Sequence, residues 1–111
     1  MAVEQRPWGT YEVLLNESDY KVKKIFVNPN SRFSLQYHNY REEYWTIVQG
    51  SGIITMEHWK GIASLGNTFY IPKKGIHRLK GGVDGICFIE VQRGQCKEND
   101  VIRLEDDYGR I

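Results

Sequence analysis

From Thr10 onward the chain alternates short apolar or period-two runs with turn residues, and almost nowhere shows the period of an amphipathic helix. TYEVLL, YKVKKIFV, RFSLQYH, EYWTIVQ, GIITMEH, GIASL, TFYIP, IHRLK and GICFIEVQ are rich in β-branched and aromatic residues, which suit a pleated, half-buried surface. NPNS, GSG, WKG, GN, PKKG and GGVDG lie between them, and their Gly, Pro and Asn residues read as turns. Roughly eight to ten strands at this spacing predict an all-β sandwich or barrel. The closing KENDVIRLEDDYGRI departs from the pattern and predicts a short strand or helical turn leading into an acidic, aromatic tail.

Strand parity then sorts the polar residues. Residues two apart share a face, so Gln36 and His38 point together, and Tyr40 is expected to continue their face. Glu43 shares its face with Trp45 and Ile47, which need burial, so it points inward. His77 falls with Leu79, while Arg78 and Lys80 fall on the opposite, wetter side. A barrel interior holding Gln36, His38, Glu43 and His77 is costly unless something satisfies these groups, and a divalent metal would do so. Two imidazoles, a carboxylate and an amide oxygen suit Zn²⁺, Fe²⁺, Mn²⁺, Co²⁺ or Ni²⁺ without choosing among them. The plainer alternative is a buried polar cluster in a metal-free barrel.

Length and charge narrow the rest. At 111 residues without a composition break, residues 1–111 make a single domain with room for one core. Fifteen Lys and Arg against fourteen Asp and Glu give +1, leaving no global field for nucleic acid or an anionic membrane. No apolar run approaches a bilayer span, and MAVEQRPWG has no apolar signal core, so a cytoplasmic protein is expected. Cys87 and Cys96 are too few and too far apart for a disulfide framework or a C-x-x-C pair; Cys87 is expected in the core and Cys96 as a free loop thiol. His58 is expected as a solvated turn residue, and Trp59 at a turn.

These residues resemble the cupins. Gln36-x-His38, Glu43 and Gly50 fit the motif G-x5-H-x-H-x3,4-E-x6-G with Gln for the first His, and Gly66, Pro72 and His77 fit G-x5-P-x-G-x2-H, with Gly75 displaced by one residue. Within the cupins the chain is most similar to the C-terminal isomerase domain of type II phosphomannose isomerases, usually fused to mannose-1-phosphate guanylyltransferase. The blocks are Arg6 to Gly9, FSLQYHNYREEYWTIVQG, Tyr70 to Leu79, Ile89 to Gln92 and Glu105 to Arg110. Two departures stand out, Tyr40 and Tyr44 where that family carries histidines.

The resemblance implies a cupin-type double-stranded β-helix, or jelly-roll barrel. It further implies one divalent metal, zinc first, held by Gln36, His38, Glu43 and His77, and an aldose–ketose isomerase acting on mannose 6-phosphate and fructose 6-phosphate. No guanylyltransferase activity is expected from this chain. For the proton shuttle, Lys23 and Tyr40 are candidates by position, with Arg41 beside the cluster. Arg41, matching the Arg of the family's H-R-x-E, and Arg110 are the candidates for the substrate phosphate; a surface ion pair of Arg41 with Glu42 or Glu43 is the plain alternative. The acidic tail is expected to pair with Arg103 and Arg110. A homodimer is expected, as cupins of this size often pair through strand edges. The competing functions are an Fe²⁺ oxygenase on the same ligands and a non-catalytic sugar- or metabolite-binding cupin.

Overall fold

A computed structural model describes residues 2–111, and among them every regular element is a strand. The nine strands are β1 (Val3–Arg6), β2 (Gly9–Asn16), β3 (Tyr20–Val27), β4 (Leu35–Tyr37), β5 (Arg41–Met56), β6 (Lys60–Ser64), β7 (Thr68–Ile71), β8 (His77–Gly94) and β9 (Ile102–Glu105). The β-rich composition is thus realised throughout, and the tail segment left open between strand and helical turn is a strand. The described residues hold no helix long and apolar enough to cross a membrane.

Two of the expected turns are not turns. GSG lies inside β5 and GGVDG inside β8, so four expected strands merge into two long ones. In β5 the register with β8 slips between Ile47 and Gln49 and again between Gly50 and Gly52, which are the bulges that bend a strand. Gly50 (φ 74°) and Gly85 (φ 76°) take left-handed backbone there. A Cβ on Gly50 would run into the Gly85 carbonyl oxygen, so the glycines serve a kink and a close crossing rather than a chain reversal.

The kinks let β5 and β8 serve two sheets. Residues 86–93 of β8 pair with β3 and, across the other edge, with the first half of β5, which pairs in turn with β7. Beyond the kink, His77–Gly81 of β8 pairs with the second half of β5, which pairs with β6, and at His77 with β4 and so to β9. One sheet is therefore β1-β2-β3-β8-β5-β7 and the other β9-β4-β8-β5-β6, curled into the jelly roll that the resemblance implied.

The core fills the space between them. Val27, Ile47, Ile54, Ile71, Leu79, Ile86 and Phe88 are at most 1% exposed, and Trp45 lies against Phe88 with ring centroids 4.5 Å apart. Phe33 presents its edge to Trp8, Trp45 and the His77 ring, so an aromatic layer backs the polar end of the barrel. Cys87 is buried in β8 and Cys96 half-buried after it, both as free thiols. His58 and Trp59 are exposed, as expected of their turn.

The turn before β8 carries backbone strain. Lys74 sits at φ 64°, and its amide donates to the His38 carbonyl at 2.7 Å. The displaced glycine of the resembling motif thus leaves a lysine in a left-handed position, which costs an L-residue about 1 kcal/mol or more. Lys74→Gly is expected to raise stability by about 1 kcal/mol, or about 4 °C in Tm by calorimetry; an unchanged or lower Tm would refute the strain.

Candidate metal centre and cavity

The four sequence-derived ligands come from three stretches of chain, and the fold brings them together. Gln36 on β4 is the direct cross-strand partner of His77 at the start of β8. Glu43 follows Arg41 on the inner face of β5, and His38 lies just past the end of β4. The ligand atoms of His38, Glu43 and His77 all lie within 4.8 Å of one another, and Gln36 completes the group with its amide nitrogen 3.4 Å from His38 Nε2. His38, Glu43 and His77 are each no more than 3% exposed.

Hydrogen bonds decide how the two imidazoles face. His38 Nδ1 lies 2.7 Å from the Asp100 carbonyl and His77 Nδ1 2.8 Å from the Gly75 carbonyl. A carbonyl can only accept, so Nδ1 carries the proton and each Nε2 turns a lone pair toward Glu43. Burial above all, with Arg41 and His77 adding to it, pushes His38 down to about 3. Burial likewise pushes His77 down to about 4, against the Gly75 hydrogen bond. Two neutral imidazoles converging on a carboxylate and an amide are the donor set a borderline divalent ion takes, so the residues present fit such an ion.

Arg41 is buried beside the cluster rather than on the surface. Its Nε donates to Glu43 Oε2 at 2.9 Å, one terminal nitrogen to the Lys97 carbonyl at 3.1 Å and the other to His38 Nε2 at 3.3 Å. Burial opposes its charge, but the Glu43 and Glu90 carboxylates override that and hold the guanidinium firmly protonated. A metal at the cluster would take over the His38 lone pair that now accepts from Arg41.

Lys23 is on the inner face of β3, 4% exposed. It is paired with Glu98 and lies 4.2 Å over the Tyr11 ring. Arg110 lines the same cavity, with its guanidinium and amide bonded to the Asp106 carboxylate. Tyr40 is the exception: it is 58% exposed and does not line the cavity. Strand β4 ends at Tyr37, so parity cannot be extended to residue 40, and the inward orientation expected for Tyr40 is corrected. Tyr44 also faces out, its hydroxyl sharing Glu42 with that of Tyr70. Both departures from the family pattern therefore lie outside the ligand cluster.

Arg78 corrects a second parity assignment. It is 6% exposed, with Nε donating to the Phe33 carbonyl and its fork reaching Glu105. The expected wet face is covered by β9, a contact between segments far apart in the chain.

Several residues of the site went unnoticed in the sequence. Glu90 lines the cavity and receives hydrogen bonds from Trp45 Nε1 (3.0 Å) and Gln92 Nε2 (2.9 Å). Trp45 Nε1 also lies 3.1 Å from Glu43 Oε1, so one indole N–H bridges two carboxyl groups. Burial, reinforced by the nearby Glu43 charge, pushes Glu90 up to about 8. The signal was present: Ile86, Phe88, Glu90 and Gln92 alternate onto one face of ICFIEVQ. Asp100 gave no such signal. Its carboxylate accepts the Asn39 and Tyr40 amides at 2.9 Å each while its carbonyl orients His38, so the tail pins the ligand loop across about sixty intervening residues.

A jelly roll with a His, His, Glu and Gln cluster inside one end of the barrel defines a cupin. Among solved structures, oxalate decarboxylase from Bacillus subtilis superposes with a TM-score of 0.83 at 16% identity, over 93% of this chain and 30% of that one. The family described as "Mannose-6-phosphate isomerase C-terminal" matches residues 2–106, and the chain belongs to it. It is 39% identical over 107 residues to the alginate biosynthesis protein AlgA of Pseudomonas aeruginosa, covering 95% of this chain and 22% of that protein. It is 36% identical over 108 residues to the mannose-1-phosphate guanylyltransferase ManC of Salmonella typhimurium, covering 96% of this chain and 22% of that protein. The chain thus spans about a fifth of the length of these relatives.

Proposed function

We propose that this cupin is a metal-dependent aldose–ketose isomerase that interconverts mannose 6-phosphate and fructose 6-phosphate. The observation that carries the reading is the convergence of His38, His77 and Glu43, with one ligand atom of each within 4.8 Å of the others and both Nε2 atoms within 3.9 Å of the Glu43 carboxylate, beside the Gln36 amide, in the family whose description names this isomerase. Gln36, His38, Glu43 and His77 would hold one divalent ion, with zinc the first candidate and Mn, Fe, Co and Ni equally suited to the donor set. When bound, the ion supplies a Lewis acid for the negative charge that develops on the sugar oxygens as a proton moves between C1 and C2.

The chain's own groups account for the proton. Glu90 lines the cavity with its carboxyl pushed upward by burial and by the Glu43 charge, and a buried, positioned carboxyl of this kind suits a general acid–base role. Its two oxygens are fixed by Trp45 and Gln92, so it is oriented as well as tuned. Lys23, held by Glu98 at the same cavity, is a cation that would stabilise an anionic sugar rather than take a proton from it. Phe33, Trp45 and Phe88 line the same cavity and would give the reacting atoms an apolar wall.

The test is a coupled assay in which mannose 6-phosphate is carried through added phosphoglucose isomerase and glucose-6-phosphate dehydrogenase, with the protein loaded in turn with each of the five metals. Reduced nucleotide should form at a rate proportional to protein and be abolished by a chelator. No turnover with any of the metals would refute the isomerase reading.

A further inference from the structure

The cations around the cavity are not equally available. Arg41 spends its donors on Glu43, His38 and the Lys97 carbonyl, and Lys23 is taken by Glu98. The tail acids, expected to neutralise Arg103 and Arg110, are distributed differently. Asp106 goes to Arg110, Asp107 to Arg32 and Glu105 to Arg78. Arg103 is passed over, and its Nε is buried without any hydrogen-bond partner among the described residues.

An orphaned guanidinium N–H is a cost that calls for a reason. Arg103 lines the cavity together with Arg6 and Arg110, and it sits on β9 directly opposite Gln36 of the ligand cluster. Burial and then the neighbouring Arg110 charge disfavour its protonated form, with Arg6 adding to the effect. Three guanidinium groups thus line the same cavity as the two histidines and the glutamates Glu43, Glu90 and Glu98, with Arg103 one strand from Gln36 and two from His77. Arg6 is anchored through the Tyr11 hydroxyl and the Gln5 carbonyl, leaving its Nε uncommitted, and Arg110 has one terminal nitrogen beyond its fork with Asp106. Like charges so arranged are complementary to a dianion with several acceptor oxygens.

We propose that Arg103, with Arg6 and Arg110, forms the subsite for the phosphoryl group of a phosphate monoester, and that Arg41, the residue expected from the sequence, instead braces the ligand cluster. The identification of the anion as the substrate's phosphate rests on the isomerase reading; the anion site itself rests on the arginines. A ligand bound across the cavity would present its hydroxyl and carbonyl end to the histidines and its phosphate to Arg103.

Calorimetric titration of the metal-loaded protein with inorganic phosphate, mannose 6-phosphate and mannose tests this. The wild type should bind both phosphate compounds, with inorganic phosphate displaced by mannose 6-phosphate, and bind mannose at least tenfold more weakly than its phosphate ester. Arg103→Gln should weaken both phosphate compounds at least tenfold and leave mannose unchanged. In the coupled assay it should raise KM far more than it lowers kcat. Arg6→Gln, at an exposed position where folding is not at issue, should weaken phosphate severalfold, and Arg32→Gln, outside the cavity, should change nothing. Phosphate binding that survives in both Arg103→Gln and Arg6→Gln overturns the subsite, even if isomerisation is intact. Arg103-dependent phosphate binding without turnover would uphold the subsite and sink the isomerase reading instead.

Discussion

His77→Gln is expected to strip the protein of its metal and to cost about a thousandfold in turnover, the equivalent of the several kcal/mol that a Lewis acid contributes to charge stabilisation. The replacement keeps side-chain bulk against Phe33 and Trp45, whose ring centroids lie 6.2 and 5.6 Å from that of His77, so the core should close around it. What is lost is the lone pair that the Gly75 carbonyl aims into the cluster by fixing the His77 tautomer. Mass-spectrometric metal analysis of wild type and variant purified side by side, with melting curves to confirm folding, reads the outcome. Full metal occupancy and full activity in the variant would remove His77 from the ligand set.

The second large effect is expected at Glu90. Glu90→Gln should lower kcat by about 10² to 10⁴, the range for loss of a positioned acid–base group, while metal content and KM stay near wild type. The substitution is gentle for the fold. An amide oxygen can still accept from Trp45 Nε1, and the Gln92 side chain, whose Oε1 is buried without a partner, can turn to accept from the new NH₂. A variant with wild-type kcat would free Glu90 of any part in the proton transfer, leaving it a structural bridge to Trp45. A variant that instead lost metal would show that Glu90 acts through its neighbour Glu43. Metal content measured on the same preparation separates the two.

Much of the convergence of Gln36, His38, Glu43 and His77 was legible because it depends on local rules. Alternation put Glu43 beside Trp45 and His77 beside Leu79 on inner faces, and the structure buries all four. The same rule misplaced Tyr40 because β4 stops at Tyr37, and it misplaced Arg78 because β9 arrives to cover what one strand in isolation would leave wet. Strand ends and distant coverings are tertiary facts, which a two-residue period does not encode. The glycine clusters were misleading for a related reason. GSG and GGVDG carry the composition of hairpin turns, yet a glycine that permits reversal equally permits a bulge, and only pairing along the whole strand tells them apart. The contributions of Asp100, Glu98 and Arg103 were invisible because each acts across more than sixty residues of chain.

The double membership of β5 and β8 has a consequence for how the molecule comes apart. A sandwich whose sheets share no strand can lose one and keep the other, but here Arg41–Met56 and His77–Gly94 are the central strands of both. Neither sheet can dissolve without pulling the backbone of its counterpart, so the barrel should unfold as one cooperative unit. Amide protons of the shared segments should then exchange with solvent only through global opening, while those of the edge strands β1 and β6 exchange through local fraying. The end of the barrel that gathers His38, Glu43 and His77 inherits that rigidity, since Glu43 and His77 are anchored near the starts of the two strands expected to let go last.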